Sequence, residues 1–246
     1  MRRLHPTEHG GGSDLTALAE TEERTVFVKA MRDRGRAGGR RDSLLREIAV
    51  APHLGGVAPR LLWSETGGRE WVVAAWEAVP GRAVDLRPGS ADLPVVADVL
   101  RRVGELPLPE TAADWPERRW DRFAAGQEHQ FAGAALLYTD WHPANFVLGN
   151  GRSWLVDWSW PMRGAAFISP ALLAVELVAD GHSPTAAEAL VAGCPAWVEA
   201  PAAAVEAFAA AHARMCGTAA ARRPEQGWLA GVADAAERWA AHRAAG

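Results

Sequence analysis

Three side chains in the second half of the sequence have the types and spacing that chemistry needs. Asp140 and Asn145 stand five residues apart in Thr139-Asp140-Trp141-His142-Pro143-Ala144-Asn145, and Asp157 follows in Val156-Asp157-Trp158. A carboxylate and an amide oxygen are hard donors of the kind that hold Mg²⁺ on phosphates. With Asn145 and Asp157 on the metal, Asp140 is left to face an incoming hydroxyl, which is the set that phosphoryl transfer from a nucleotide requires. Asp and Asn are also common turn formers between strands. The apolar runs Leu136-Leu137-Tyr138 and Trp154-Leu155-Val156 supply strands around the polar loop, so a hairpin-like fold-back can bring the three together.

Leu137-Tyr138-Thr139-Asp140-Trp141-His142-Pro143-Ala144-Asn145 resembles the H-G-D-x-H-x-x-N loop of the aminoglycoside phosphotransferase family, and Val156-Asp157-Trp158 is similar to that family's I-D-W strand. These are small-molecule kinases with a protein-kinase-like fold. The resemblance implies that Asp140 is the catalytic base and that Asn145 and Asp157 bind Mg²⁺. It also implies ATP as the donor and a small-molecule hydroxyl as the acceptor. His142 and Pro143 match the family pattern. Tyr138 and Thr139 stand where the family has His-Gly, the His being regarded as a scaffold for the loop. The segment Gly164-Ala165-Ala166-Phe167-Ile168-Ser169-Pro170 lacks the Asp of the G-D-P that often follows the metal strand.

The elements that must position these groups are legible in order. Gly10-Gly11-Gly12-Ser13 is a turn whose backbone amides could approach phosphates without obstruction from Cβ atoms. Strand-like runs follow at 15–19 and 25–30, the second ending Val26-Phe27-Val28-Lys29, which resembles the V-A-I-K strand of kinases. Lys29 is thereby assigned to the α- and β-phosphates. A helix begins near 43, with Ser43 or Asp42 as its cap, and carries Glu47 at the edge of the apolar face formed by Leu44, Leu45 and Ile48. In kinase-like folds such a Glu pairs with the strand lysine. Strands at 59–64 and 71–77 flank a Gly67-Gly68 turn. Val79-Pro80-Gly81 then resembles the break between kinase lobes, where backbone groups from Glu77 to Val79 would meet adenine. That makes four strands, and a fifth would have to precede Gly10, where the strand signal is poor. After Arg82, Ala and Leu dominate and helices are expected, one of them opened by Ser183 and Pro184. The predicted fold is therefore α+β and bilobal. Residues 1–79 form an antiparallel sheet of four or five strands plus one helix, and residues 80–246 form a mostly helical lobe.

Composition narrows the alternatives. The 246 residues are 49% hydrophobic and 23% charged, with a net charge of −4, so there is ample core and no electrostatic case for nucleic acid. No apolar run approaches the roughly 18–20 residues of a membrane span, and no leader follows the first residues, so the expected compartment is the cytoplasm. Two cysteines are too few for a disulfide framework. Of 26 basic residues only Lys29 is a lysine: either it is a chance survivor in an arginine-biased composition, or it marks a position where a compact ammonium serves and a planar guanidinium does not. There is no G-x-x-x-x-G-K-[ST] phosphate loop. Aminoglycosides, sugars, amino alcohols and other hydroxylated antibiotics all remain possible acceptors. The alternative from a different class is a catalytically silent nucleotide-binding protein, suggested by Tyr138 and Thr139.

Overall fold

Period-two alternation in the N-terminal third builds a sheet. In the computed structural model, which describes residues 3–7, 12–35, 39–68, 70–149 and 151–245, β1 (Arg3–Pro6), β2 (Leu15–Glu20), β3 (Thr25–Arg32), β4 (Leu61–Glu65) and β5 (Trp71–Glu77) pair antiparallel in the order β1-β2-β3-β5-β4. Alternation along β3 puts Phe27, Lys29 and Met31 on one face. Helix α1 (Arg40–Val50) covers that face, where Met31, Leu44, Val72, Ala74 and Trp76 form a buried cluster with Phe27, Leu45 and Ile48 packed against it. Ala19, Val26 and Ala75 gather with Val28 and Leu62 in a second, smaller cluster.

The fifth strand does precede Gly10. All four residues of β1 are exposed, so nothing in its sequence alternates, and its partner β2 is what holds it in register. Helix α1 starts three residues before Ser43. Gly39 takes the cap position without a side-chain cap, and neither Asp42 nor Ser43 fills it. Ser43 is instead buried in the first turn, donating its hydroxyl to the Arg40 carbonyl at 2.7 Å.

The chain divides into two compact units, the first of residues 1–82 and 146–161 and the second of residues 83–145 and 162–246. The first unit thus takes in a segment from beyond the linear break at 79/80. After a short strand β6 (Arg82–Ala83) the chain leaves it, and it returns as an antiparallel hairpin of β8 (Phe146–Gly149) and β9 (Arg152–Leu155). Backbone contacts hold the hairpin there. The Leu155 N–H donates to the Val57 carbonyl at 2.8 Å. At Gly149 a Cβ would stand 2.0 Å from the Pro80 carbonyl oxygen, an approach that only glycine permits.

The second unit is helical. It comprises α2 (Leu93–Gly104), the antiparallel pair β7 (Ala135–Leu137) and β10 (Met162–Gly164), α3 (Ile168–Ala179), α4 (Pro184–Val191), α5 (Pro195–Val198), α6 (Ala202–Arg222) and α7 (Gly227–Ala245). Ser183 caps α4 by accepting from the Ala186 N–H at 3.2 Å. Ten of the twelve residues of α3 are buried, so this helix is hydrophobic all round and forms the core on which α4, α6 and α7 pack. Residues 107–131 are irregular, with three short 3-10 turns. Their aromatics are core: Trp120 and Phe131 both meet the Phe208 ring edge-on, at 4.8 and 5.6 Å. His212 belongs to the same core, its Nδ1 accepting from the Trp120 indole N–H at 3.1 Å. Among the described residues no helix is long and apolar enough to cross a membrane.

Candidate active site

The first unit gathers a charged cluster around Lys29. Strand period places its side chain under α1, and helical period places Glu47 beside Leu44 and Ile48, facing it. An ammonium has three N–H donors and no acceptor, and Lys29 uses all three. Nζ donates to Glu47 Oε2 at 2.8 Å, to Asp157 Oδ1 at 2.8 Å and to Ser159 Oγ at 2.9 Å. Lys29 and Glu47 are 6% and 7% exposed, whereas the Asp157 side chain remains 45% exposed. Burial alone would discharge Lys29, but the carboxylates of Glu47 and Asp157 outweigh it and hold the ammonium above its ordinary range. Burial pushes the Glu47 carboxyl upward against the pull of Lys29. For Asp157 the balance is reversed: burial raises it, but the Lys29 charge and the hydrogen bonds from Lys29 and Ser159 bring it below the usual carboxylate range. Asp157 also has a left-handed backbone, φ +58°, which is uncommon for a residue with a Cβ.

The second unit shapes the 138–145 loop. Ser169, in the first turn of α3, accepts from the Tyr138 N–H at 3.2 Å and donates to the Tyr138 carbonyl at 3.0 Å. The Trp141 indole N–H reaches the same carbonyl at 3.0 Å, and its ring meets the Tyr138 ring edge-on at 5.2 Å. Ser169 and Trp141 thus hold the Tyr138 backbone, and the Tyr138 side chain is buried. Thr139 is tied by its hydroxyl to the Arg119 guanidinium at 2.8 Å, and Arg119 is itself held by Glu117, whose side chain is 0% exposed. Beyond these anchors Asp140 is exposed. Asn145 is brought to it: Nδ2 donates to the Asp140 carbonyl at 3.0 Å, and the Asn145 N–H donates to the His142 carbonyl at 2.9 Å.

Among the described residues, Asn145 Oδ1 accepts no hydrogen bond, and neither does Asp157 Oδ2. Each unit thus offers one unclaimed hard oxygen, the donor type Mg²⁺ takes when phosphates supply other ligands. The nucleotide-side residues are placed as follows. Glu77 ends β5 with its N–H already given to the Arg60 carbonyl at 2.9 Å. Val79, between β5 and Pro80, has neither backbone group hydrogen-bonded among the described residues. Gly12 and Ser13 lie in the turn before β2, where a Cβ on Gly12 would meet nothing within 4 Å. Gly10 and Gly11 fall outside the described residues.

No protein-family model matches the chain, and no curated protein matches it in sequence. Solved structures do match it in fold. Choline kinase LicA from Streptococcus pneumoniae superposes with a TM-score of 0.66 at 13% identity, over 98% of this chain and 94% of that one. The fold is that of small-molecule kinases. This kinase fold recurs in a thermostable mutant of aminoglycoside phosphotransferase APH(4)-Ia, solved as a ternary complex with ADP and hygromycin B. The TM-score there is 0.61 at 13% identity, over 100% of this chain and 94% of that one. A choline/ethanolamine kinase family protein from Mesorhizobium loti matches with a TM-score of 0.56 at 16% identity, over 99% and 93% of the two chains. At such identities the backbone is shared and the side-chain chemistry has to be argued from this chain's own residues.

Four groups in these two clusters carry no sequence pattern. Ser159 and Ser169 act through single hydroxyls, and Glu117 and Arg119 lie in an irregular segment. Glu176, half-buried on α3, is the fifth residue that spacing did not single out. Burial first, then the charges of Asp140 and Asp180, push its carboxyl up to about 7.

Proposed function

We propose that this protein transfers the γ-phosphoryl group of ATP to a hydroxyl of a small molecule. The observation that carries the proposal is the buried ammonium of the chain's only lysine, gripped by Glu47 on one side and by the exposed, left-handed Asp157 on the other. A buried ammonium beside a carboxylate that stays open to solvent can meet an anionic ligand and a hard cation together, which supports this reading.

In this function Lys29, kept in place by Glu47, sets its charge against the α- and β-phosphates. Asn145 and Asp157 would hold Mg²⁺, which would neutralise charge on the triphosphate. Asp140 takes the acceptor hydroxyl's proton while the acceptor oxygen bonds to the γ-phosphorus. The bond from that phosphorus to the β–γ bridging oxygen breaks, and ADP leaves. Val79 offers an N–H and a carbonyl to adenine.

The test is a pooled screen of aminoglycosides, amino alcohols and sugars with Mg·ATP, read by mass spectrometry as a gain of about 80 Da, one phosphoryl group. With an acceptor in hand, D140A is expected to lose turnover by roughly 10²–10⁴-fold while binding Mg·ATP as the wild type does, the range for losing a general base. Near-normal turnover in D140A rejects the assigned base. Binding of Mg·ATP without turnover on any acceptor supports the silent nucleotide-binding alternative.

A further inference from the structure

Ser159 has no role in the scheme above, yet its hydroxyl is the third partner of the Lys29 ammonium. Because an ammonium can only donate, Ser159 Oγ must accept from Nζ, and its own proton must go elsewhere. It goes to Asp157 Oδ1. Oδ1 therefore receives two donors, Lys29 and Ser159, while Oδ2 receives none among the described residues. The carboxylate cannot rotate to exchange its oxygens without breaking both bonds. The backbone of Asp157 is left-handed, and the tie from residue 159 back to 157 spans that turn.

We propose that Ser159 is a positioning residue for the metal carboxylate. Its hydroxyl orients Asp157 so that Oδ2 is the oxygen presented to Mg²⁺, and it keeps hold of Oδ1 once Lys29 turns toward the phosphates. Two anions then share one ammonium without Asp157 losing its orientation. Ser159 thus couples nucleotide binding at Lys29 to metal binding at Asp157. The role rests on the phosphotransferase reading, since it presumes that Asp157 binds the metal.

The experiment uses the full chain and compares wild type, S159A and S159T by calorimetry with ADP, with and without Mg²⁺. A lost partner of a metal ligand costs metal affinity on the order of tenfold or more. S159A is therefore expected to weaken Mg·ADP about tenfold more than it weakens metal-free ADP, and S159T, which keeps the hydroxyl, restores the wild-type value. Because Lys29 is the only lysine, ¹⁵N-lysine labelling yields one ammonium resonance, and its protons are expected to exchange faster in S159A. Should S159A not fold, S159C takes its place, with similar volume and a weak donor. Unchanged Mg·ADP affinity in the folded variant overturns the role of Ser159 alone, and so does an equal loss of metal-free and metal-bound affinity. A wild type that binds neither form of ADP overturns the phosphotransferase reading itself, and the role with it.

Discussion

Among individual residues, Glu176 has the clearest consequence for the behaviour of the protein. It is the one charged residue of α3, ten of whose twelve residues are buried, and burial together with Asp140 and Asp180 lifts its carboxyl from 4.5 to about 7. A carboxyl whose folded value is raised binds its proton more tightly in the folded state than in the unfolded one. Its contribution to stability is therefore complete below pH about 4.5 and is lost as the pH climbs through about 7. At pH 8 wild type carries this cost, at most about 3 kcal/mol, and E176Q does not. Thermal unfolding should show E176Q more stable than wild type at pH 8, with the difference vanishing near pH 4.5. An equal difference at both values would mean that no such shift exists. The Lys29–Glu47 contact, by contrast, was legible in the sequence. Two periodicities converge there, with Lys29 sharing a strand face with Phe27 and Met31, and Glu47 sharing a helix face with Leu44 and Ile48. Ser159 was not legible because a loop serine has no period, and neither was Glu176, which an apolar helix pattern hides.

At the level of elements, the 138–145 loop owes its shape to α3, thirty-one residues further along. Local spacing marked Asp140 and Asn145 as neighbours, and Asn145 does hydrogen-bond the Asp140 backbone. The scaffold could not be read that way, since Ser169 meets Tyr138 only through tertiary packing. The loop is thus anchored at Tyr138 by groups with no motif of their own. In S169A the Tyr138 carbonyl keeps the Trp141 indole, but the Tyr138 N–H and carbonyl each lose their hydrogen bond to the Ser169 hydroxyl. Each intramolecular hydrogen bond lost costs about 0.5–1.5 kcal/mol. S169A should unfold at lower urea concentration by that amount and, with an acceptor available, lose turnover more than Mg·ATP affinity. Stability equal to wild type would show that the loop does not depend on α3. The same distinction explains β1: its pairing with β2 is tertiary, and four exposed residues leave no pattern.

At the level of the whole molecule, the chain completes its sheet-bearing unit late. The fold class was readable because strands and helices segregate along the sequence. The return of 146–161 to the first unit was not, because a β-hairpin looks the same wherever it docks. Its contribution is large. Phe146, Trp154, Leu155 and Trp158 are all buried, Leu155 hydrogen-bonds Val57, and Asp157 and Ser159 supply two of the three acceptors of Lys29. Burying each large apolar side chain is worth about 1.5–3 kcal/mol, so four approach the whole stability of an ordinary domain, about 5–15 kcal/mol. A fragment of residues 1–82 is therefore expected to show no cooperative urea transition, with its lysine ammonium exchanging as freely as in a peptide. The geometry also says how to repair it. Gly81 and Gly149 bring the two backbone stretches into contact, with the Leu148 carbonyl oxygen 2.5 Å from where a Gly81 Cβ would stand, so residue 82 lies close to residue 146. Joining 1–82 to 146–161 through a short Gly-Ser linker should restore a cooperative transition and slow the exchange of the Lys29 ammonium. If 1–82 alone unfolds cooperatively with a protected ammonium, the hairpin is dispensable and Glu47 suffices to hold Lys29.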